Sequence, residues 1–348
     1  MIKRRFGRTG FEVPIVGLGG AGLGQPIERI EPLINHALDR GANFIHVYPS
    51  QEENVGRVLS GRRDEAIIAA HVDVSPDPSV KMGTADEVIG RVDACLKNLG
   101  TDSVELFQFH GVMDEEAVSF ICRKGGALEG LKKARKQGKV QFIGITGHYS
   151  PPLVNALKHG DFDTVMVPFN IMRREFGADP AVGLFPLAKR LNIGVIIMKP
   201  IANGRITKNL DRALKFILAH DLSLAIPGAK DTAELEADIE IAEEFSSLSE
   251  EEQRKCASDE VVFGEPYCRN CGYCLPCPFD MNIPAILKME RTCTVFGLKE
   301  WIRQSEIGKL EVDAAKCEGC GVCKPRCPFD LPICQMMRNA EQYKQAPG

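Results

Sequence analysis

The uneven placement of cysteine constrains this chain more than any other feature. Of 13 cysteines in 348 residues, only Cys95 and Cys122 precede position 255, and the rest lie between Cys256 and Cys334. The chain therefore divides into a cysteine-poor body and a cysteine-rich tail. Disulfide scaffolds are usually small secreted domains. Here the basic start, Met1 to Arg8, is followed by no long apolar stretch, so no secretory leader is expected. No apolar run reaches the roughly 18 residues a transmembrane helix needs. The expected setting is a reducing cytoplasm, where clustered thiolates bind metal. A net charge of -4 offers no footprint for nucleic acid or an anionic membrane.

The tail contains a repeat. Cys268-Arg-Asn-Cys271-Gly-Tyr-Cys274-Leu-Pro-Cys277-Pro-Phe-Asp is echoed by Cys317-Glu-Gly-Cys320-Gly-Val-Cys323-Lys-Pro-Arg-Cys327-Pro-Phe-Asp. The second run has the C-x2-C-x2-C-x3-C-P spacing of bacterial ferredoxins, in which the fourth cysteine ligates the other cluster. By that logic Cys268, Cys271, Cys274 and Cys327 hold one [4Fe-4S] cluster, and Cys317, Cys320, Cys323 and Cys277 hold a second. Gly272 and Gly321 let the backbone approach the inorganic sulfides. Two zinc sites or a disulfide knot are the competing readings. Zinc sites more often use paired C-x2-C knuckles well separated in sequence, so two four-cysteine runs each ending in proline favour cubanes. Cys256, Cys293 and Cys334 are left as bystanders, and Cys95 and Cys122 as small core hydrophobes.

The body reads as alternating strands and helices. Apolar runs span Ile15 to Leu18, Asn43 to Val47, Glu65 to His71, Val104 to His110, Phe142 to Gly147, Asp163 to Asn170, Ile193 to Met198 and Leu222 to Pro227. Their unbroken apolar character suits strands buried on both faces. Amphipathic stretches such as Ala85 to Leu99 and Leu128 to Lys136 lie between them, and Asp231 opens a further helix. Such units predict an α/β fold, a (β/α)8 TIM barrel, with a C-terminal, mainly helical, bis-[4Fe-4S] ferredoxin-like domain. Lys3 to Val13 reads as a hairpin ahead of the first barrel strand. The expected boundaries are 1–245 for the barrel, 246–260 for a linker and 261–340 for the ferredoxin-like domain.

The stretches Arg4 to Gly10, Thr84 to Val88, Leu99 to Asp102, Leu106 to Gly111, Gly138 to His148, Met198-Lys199-Pro200 and Ile226-Pro227-Gly228 resemble those of the aldo-keto reductase family. With the tail added, the chain resembles the ferredoxin-tailed branch of that family. The resemblance implies a catalytic tetrad of Asp, Tyr, Lys and His, in which the Tyr protonates a substrate carbonyl. Only the His matches, as His110. His46 stands at the Asp position and His71 at the Lys position, and Tyr48 stands too early in a shortened segment. The proton-donating machinery is therefore not intact.

The same resemblance places Asn170, Lys199, Gly228 and Lys230 at the nicotinamide cofactor. Glu234 and Asp238 stand where Gln and Asn are expected, and carboxylates repel a phosphate, which argues against NADPH.

His46, His71, His110 and His148 each fall at or just after the end of a predicted strand, where barrel enzymes gather their active-site groups. They are candidates for holding a transition metal, for acid-base work on an anionic substrate, or for simple hydrogen-bonded filling; a flavin is a further candidate cofactor at the same mouth. His36, His159 and His220 read as surface or packing residues. Gly17 to Gly24 reads as a tight loop at the mouth giving a ligand close backbone access. Arg173-Arg174-Glu175 is either an anion clamp or a solvated charge pair. The leading expectation is an iron-sulfur oxidoreductase. Two clusters exchange electrons with an external donor or acceptor, such as ferredoxin or a flavoprotein, and pass them to a small-molecule substrate at the histidine-lined mouth. The alternatives are an NADPH-dependent carbonyl reductase and a non-catalytic electron-transfer or redox-sensing subunit.

Overall fold

The computed structural model describes residues 1–74, 83–112, 114–159, 161–171, 179–202, 206, 209–259, 268, 272–287, 314–327 and 330–345. The chain forms two compact units, Met1–Val262 and Phe263–Gly348. Helix Glu250–Asp259, in the stretch read as a linker, belongs to the first unit.

Strands β1 (Lys3–Arg5) and β2 (Glu12–Pro14) form the expected antiparallel hairpin. Seven strands then form one parallel sheet in sequence order: β3 (Phe44–His46), β4 (Ile67–Asp73), β5 (Val104–His110), β6 (Val140–Thr146), β7 (Thr164–Pro168), β8 (Gly194–Met198) and β9 (Leu224–Ile226). The run read as the first barrel strand makes only single bridges, Val16 to Ala225 of β9 and Leu18 to Ile45 of β3. Those two bridges link the last strand to the first and close the barrel.

Helices alternate with the strands. They include α1 (Ile27–Asp39) and α2 (Glu52–Val58), then α3 (Ala85–Leu99), which keeps its predicted bounds. Thr84 caps α3 by accepting from Glu87 N–H, and Asp231 caps Thr232–Glu244 through Glu234 N–H. Each side-chain oxygen satisfies a donor that the helix leaves unpaired. No helix among the described residues is long and apolar enough to cross a membrane.

The period of two along a strand decides what the barrel interior contains. Phe44, Ala69, Leu106, Met166, Ile196 and Leu224 form its apolar layer, together with Phe6 from the hairpin. Phe6 packs edge-on against Phe44 at 5.8 Å. A Cβ on Gly194 would come within 2.5 Å of the Phe6 ring, so that glycine seats it. Two residues beyond Phe44, Ala69 and Leu106 come His46, His71 and Gln108, and a further two bring Asp73 and His110. The apolar layer thus gives way to a polar one toward the C-terminal ends of the strands.

In the tail unit, Cys274, Met281, Ile286, Cys323 and Met337 are buried in a core of their own, with Cys268, Cys277, Cys317 and Cys327 packed against it. Gly272 and Gly321 adopt φ of 79° and 75°. These left-handed turns give a conformational reason for glycine at both positions. Residues 288–313, between the two cysteine runs, lie outside the described residues.

Candidate functional site

Three of the four predicted histidines converge with Tyr48. The His46 and His71 rings are 5.4 Å apart, and those of His71 and His110 stack at 4.6 Å. The Tyr48 ring stands edge-on to all three, at 5.0 Å from His46, 5.0 Å from His71 and 6.0 Å from His110. The shortened segment after β3 therefore still delivers a tyrosine to the mouth, although its position in sequence reads as too early. Its placement is built in. Gln51 accepts from Tyr48 N–H at 3.0 Å and donates to the Gly20 carbonyl at 2.7 Å. A Cβ on Gly20 would meet the Tyr48 ring at 2.7 Å.

That contact revises the reading of the glycine loop. A Cβ on Gly22 would lie 1.8 Å from the Ala229 carbonyl oxygen, and one on Gly19 would lie 2.7 Å from those of Ile226 and Pro227. These glycines let the loop pack against the protein's own backbone.

Burial sets the charge state of the cluster. His46 is held down to about 3 by loss of solvent, with His110 adding repulsion. Burial pushes His71 well below the usual histidine range, and both neighbouring histidines act in the same direction. Both rings are neutral at physiological pH. His46 Nε2 and His71 Nδ1 are buried and find no protein partner. The Tyr48 phenol is pushed up by burial and by the Asp73 charge. It is therefore not activated as the family resemblance requires.

Asp73 is the residue sequence reasoning missed. It lies two places past His71 and pairs in register with His110 across β4 and β5. Its carboxylate accepts from His110 Nδ1–H at 2.6 Å, and that bond holds its pKa low. This fixes the imidazole tautomer and leaves Nε2 toward any ligand. The signal was available: on a strand, two residues past an inward His is inward again.

His148 stands apart from the other three. Its ring is 6.5 Å from His110, and its Nε2 accepts from Lys199 Nζ at 2.7 Å. Lys199 has φ of 57°, and the buried Asn170 amide donates to its carbonyl at 3.3 Å. His36 pairs with Glu236 at 2.6 Å, away from the mouth. Arg173-Arg174-Glu175 lies outside the described residues.

The carboxylate argument against NADPH weakens in the structure. Glu234 pairs with Lys230. Asp238 is raised to about 7, by burial first and Glu234 second. Glu234 is thus a paired anion, and Asp238 is only partly ionised at neutral pH.

In the tail, Cys277 of the first run and Cys317, Cys320 and Cys323 of the second line one concavity, with Cys334 beside them. Four thiols on one cavity are a donor set that fits a [4Fe-4S] cube. Cys334, read as a bystander, lies at this cavity. Cys268, Cys274 and Cys327 are described, whereas Cys271 and Cys293 lie outside the described residues.

A closed parallel barrel with polar groups at its C-terminal mouth, followed by a cysteine-rich unit, defines an oxidoreductase with an iron-sulfur appendage. The chain belongs to the aldo/keto reductase family, whose profile matches residues 15–212; a 4Fe-4S dicluster domain matches residues 267–332. It is 25% identical over 223 residues to the uncharacterized oxidoreductase YqkF of Bacillus subtilis, covering 61% of this chain and 69% of that one. The aldo-keto reductase AKR11C1 of Bacillus halodurans, in its holo form, superposes with a TM-score of 0.64 at 21% identity, covering 74% of this chain and 96% of that one. An aldo-keto reductase from Klebsiella pneumoniae in complex with NADPH gives 0.61 at 20% identity, covering 77% and 98%. The expectation against NADPH thus finds no support in either the site or the fold neighbours.

Proposed function

We propose that this chain is an iron-sulfur oxidoreductase in which electrons from an external donor reach a small reducible substrate at the barrel mouth. The observation that carries this reading is the replacement of the family's Asp and Lys by His46 and His71, two buried neutral imidazoles, in a chain that also bears a 4Fe-4S dicluster domain. Hydride transfer from a nicotinamide moves two electrons together and needs no cluster. When bound by Cys268, Cys271, Cys274 and Cys327, and by Cys277, Cys317, Cys320 and Cys323, the clusters supply one-electron transfer. The chain's own residues then have separable tasks. Asp73 orients His110, and His110 holds a proton for the substrate. Tyr48 remains protonated and closes one wall of the site. A two-electron reduction takes two electrons from a reduced ferredoxin or flavoprotein and two protons from His110 and solvent.

NADPH-dependent carbonyl reduction is the second reading. It is favoured by the Asn170–Lys199 contact at the expected nicotinamide position and by the raised Asp238. The two readings differ in donor. The holoprotein is supplied with either reduced ferredoxin or NADPH as sole reductant and a panel of carbonyl and unsaturated acceptors. The first reading expects turnover with ferredoxin that is lost in Cys320→Ser. Turnover with NADPH alone, unchanged by Cys320→Ser, overturns it.

A further inference from the structure

Among the described residues, the polar layer at the mouth contains one group of side chains whose donor atoms converge. One donor atom each from His71, Asp73 and His110 lies within 4.8 Å of the others. The strand geometry produces this directly. His71 and Asp73 share a face of β4, and Asp73 is the register partner of His110 on β5. The set is two imidazoles and one carboxylate, the composition that holds redox-active iron with coordination positions left open.

We propose that His71, Asp73 and His110 bind one divalent first-row transition-metal ion at the barrel mouth.

Three observations carry this beyond composition. His71 is 1% exposed, and its buried Nδ1 has no protein partner, so a polar atom is left unsatisfied in a dry site. Such an atom costs free energy unless something satisfies it. The site is also graded in access: Asp73 is 57% and His110 22% exposed at the side chain, so an ion can enter from the Asp73 side. Lastly, the neighbouring imidazoles differ in availability. His148 accepts from the Lys199 ammonium, and a lone pair engaged by a proton donor does not ligate. The site assigned here is thus narrower than a ring of four histidines and includes an anion.

Donors held at about 2.1 Å from a common ion in tetrahedral geometry stand roughly 3.4 Å apart. The three donor atoms lie within 4.8 Å of one another, so binding needs only side-chain adjustment to that spacing. The half-exposed Asp73 can follow such a shift.

This inference rests on the reading of the mouth as the reaction site; with the ion bound, His110 and Asp73 ligate it and the substrate's protons come from solvent, while metal uptake itself requires no electron flow. The test uses the cluster-loaded holoprotein under anaerobic conditions with Zn²⁺ as the probe, because zinc is redox-silent and its X-ray edge is separate from that of iron. We expect one zinc per chain in an all-nitrogen and oxygen shell that includes imidazole. Asp73→Asn and His71→Gln should each weaken zinc binding by more than about ten-fold, whereas His148→Gln leaves it unchanged. Retention of the cluster absorbance and of the far-ultraviolet circular dichroism certifies each variant. Should His71→Gln fail to fold, Asp73→Asn, a near-isosteric change at a half-exposed position, decides the matter. Zinc uptake unaffected by Asp73→Asn, sulfur in the zinc shell, or equal loss in His148→Gln overturns the site. A protein that binds zinc as expected but passes no electrons keeps this site and refutes the relay; one that passes electrons with no zinc uptake does the reverse.

Discussion

His71 and His110 stack with their ring centroids 4.6 Å apart and their planes inclined by 26°. Two imidazolium rings would repel each other at that separation. With His71 held neutral by burial, the pair carries at most one positive charge. Asp73, bonded to His110 Nδ1–H, faces the place such a charge would occupy. Where the family resemblance expects a charged Lys–Asp pair, this chain presents neutral rings backed by one exposed carboxylate.

Acid should expose the cost of burying His46. Its folded pKa of about 3 lies below the unfolded value of 6.5. Below pH 6.5 the unfolded chain takes up a proton that the folded chain refuses. Stability is therefore lost as the pH falls from 6.5 toward 3, by up to about 1.4 kcal/mol per pH unit. Urea denaturation at pH 7 and pH 5 should show a larger loss for wild type than for His46→Gln. Equal losses would mean that His46 is not held neutral.

Gly20 should tolerate no side chain. Gly20→Ala places a methyl 2.7 Å from the Tyr48 ring and 2.8 Å from the His46 carbonyl oxygen. We expect destabilisation of about 1–3 kcal/mol by denaturant titration. Tyr48 fluorescence should also become more accessible to quencher. A stability within error of wild type would show that the loop yields freely.

Interleaving of the cysteine runs predicts an uneven iron loss. Cys277→Ser and Cys320→Ser act on the same cavity, so the double variant should retain about four of about eight irons. Loss of nearly all iron in the double variant would instead assign each run to its own cluster.

Asp238 should make NADPH binding depend on pH. Its pKa of about 7 means that it ionises between roughly pH 6 and pH 8. Where NADPH binds, affinity should weaken as the pH rises through 7, and Asp238→Asn should flatten that slope in a fluorescence titration. A slope identical in both proteins would remove Asp238 from the phosphate site.

The barrel was legible because buried parallel strands leave unbroken apolar runs, and because Thr84 and Asp231 mark helix starts chemically. Ile15 to Leu18 reads as a strand although it makes only bridges; its apolar residues signal burial, not the extent of pairing. Tyr48 stands early by residue count, yet spacing along a loop does not give a ring's position in space. Asp73 carries no mark of its own in the sequence, because the partner that joins it to His110 belongs to the neighbouring strand. Cys334 lies outside both cysteine runs, and only the packed tail brings it to the Cys323 cavity. The shielding of Glu234 and Asp238 depends on burial and pairing, which residue identity alone does not reveal.

The most direct test of the central claim follows reoxidation of the reduced clusters in a single turnover. Wild type and His110→Gln, each carrying about eight irons, are reduced anaerobically and mixed with an acceptor that wild type turns over, and the absorbance near 400 nm is recorded. The expected result is fast recovery in wild type and recovery slowed by about 100-fold or more in His110→Gln. Equal rates in the two proteins would contradict passage of electrons to a substrate at this mouth.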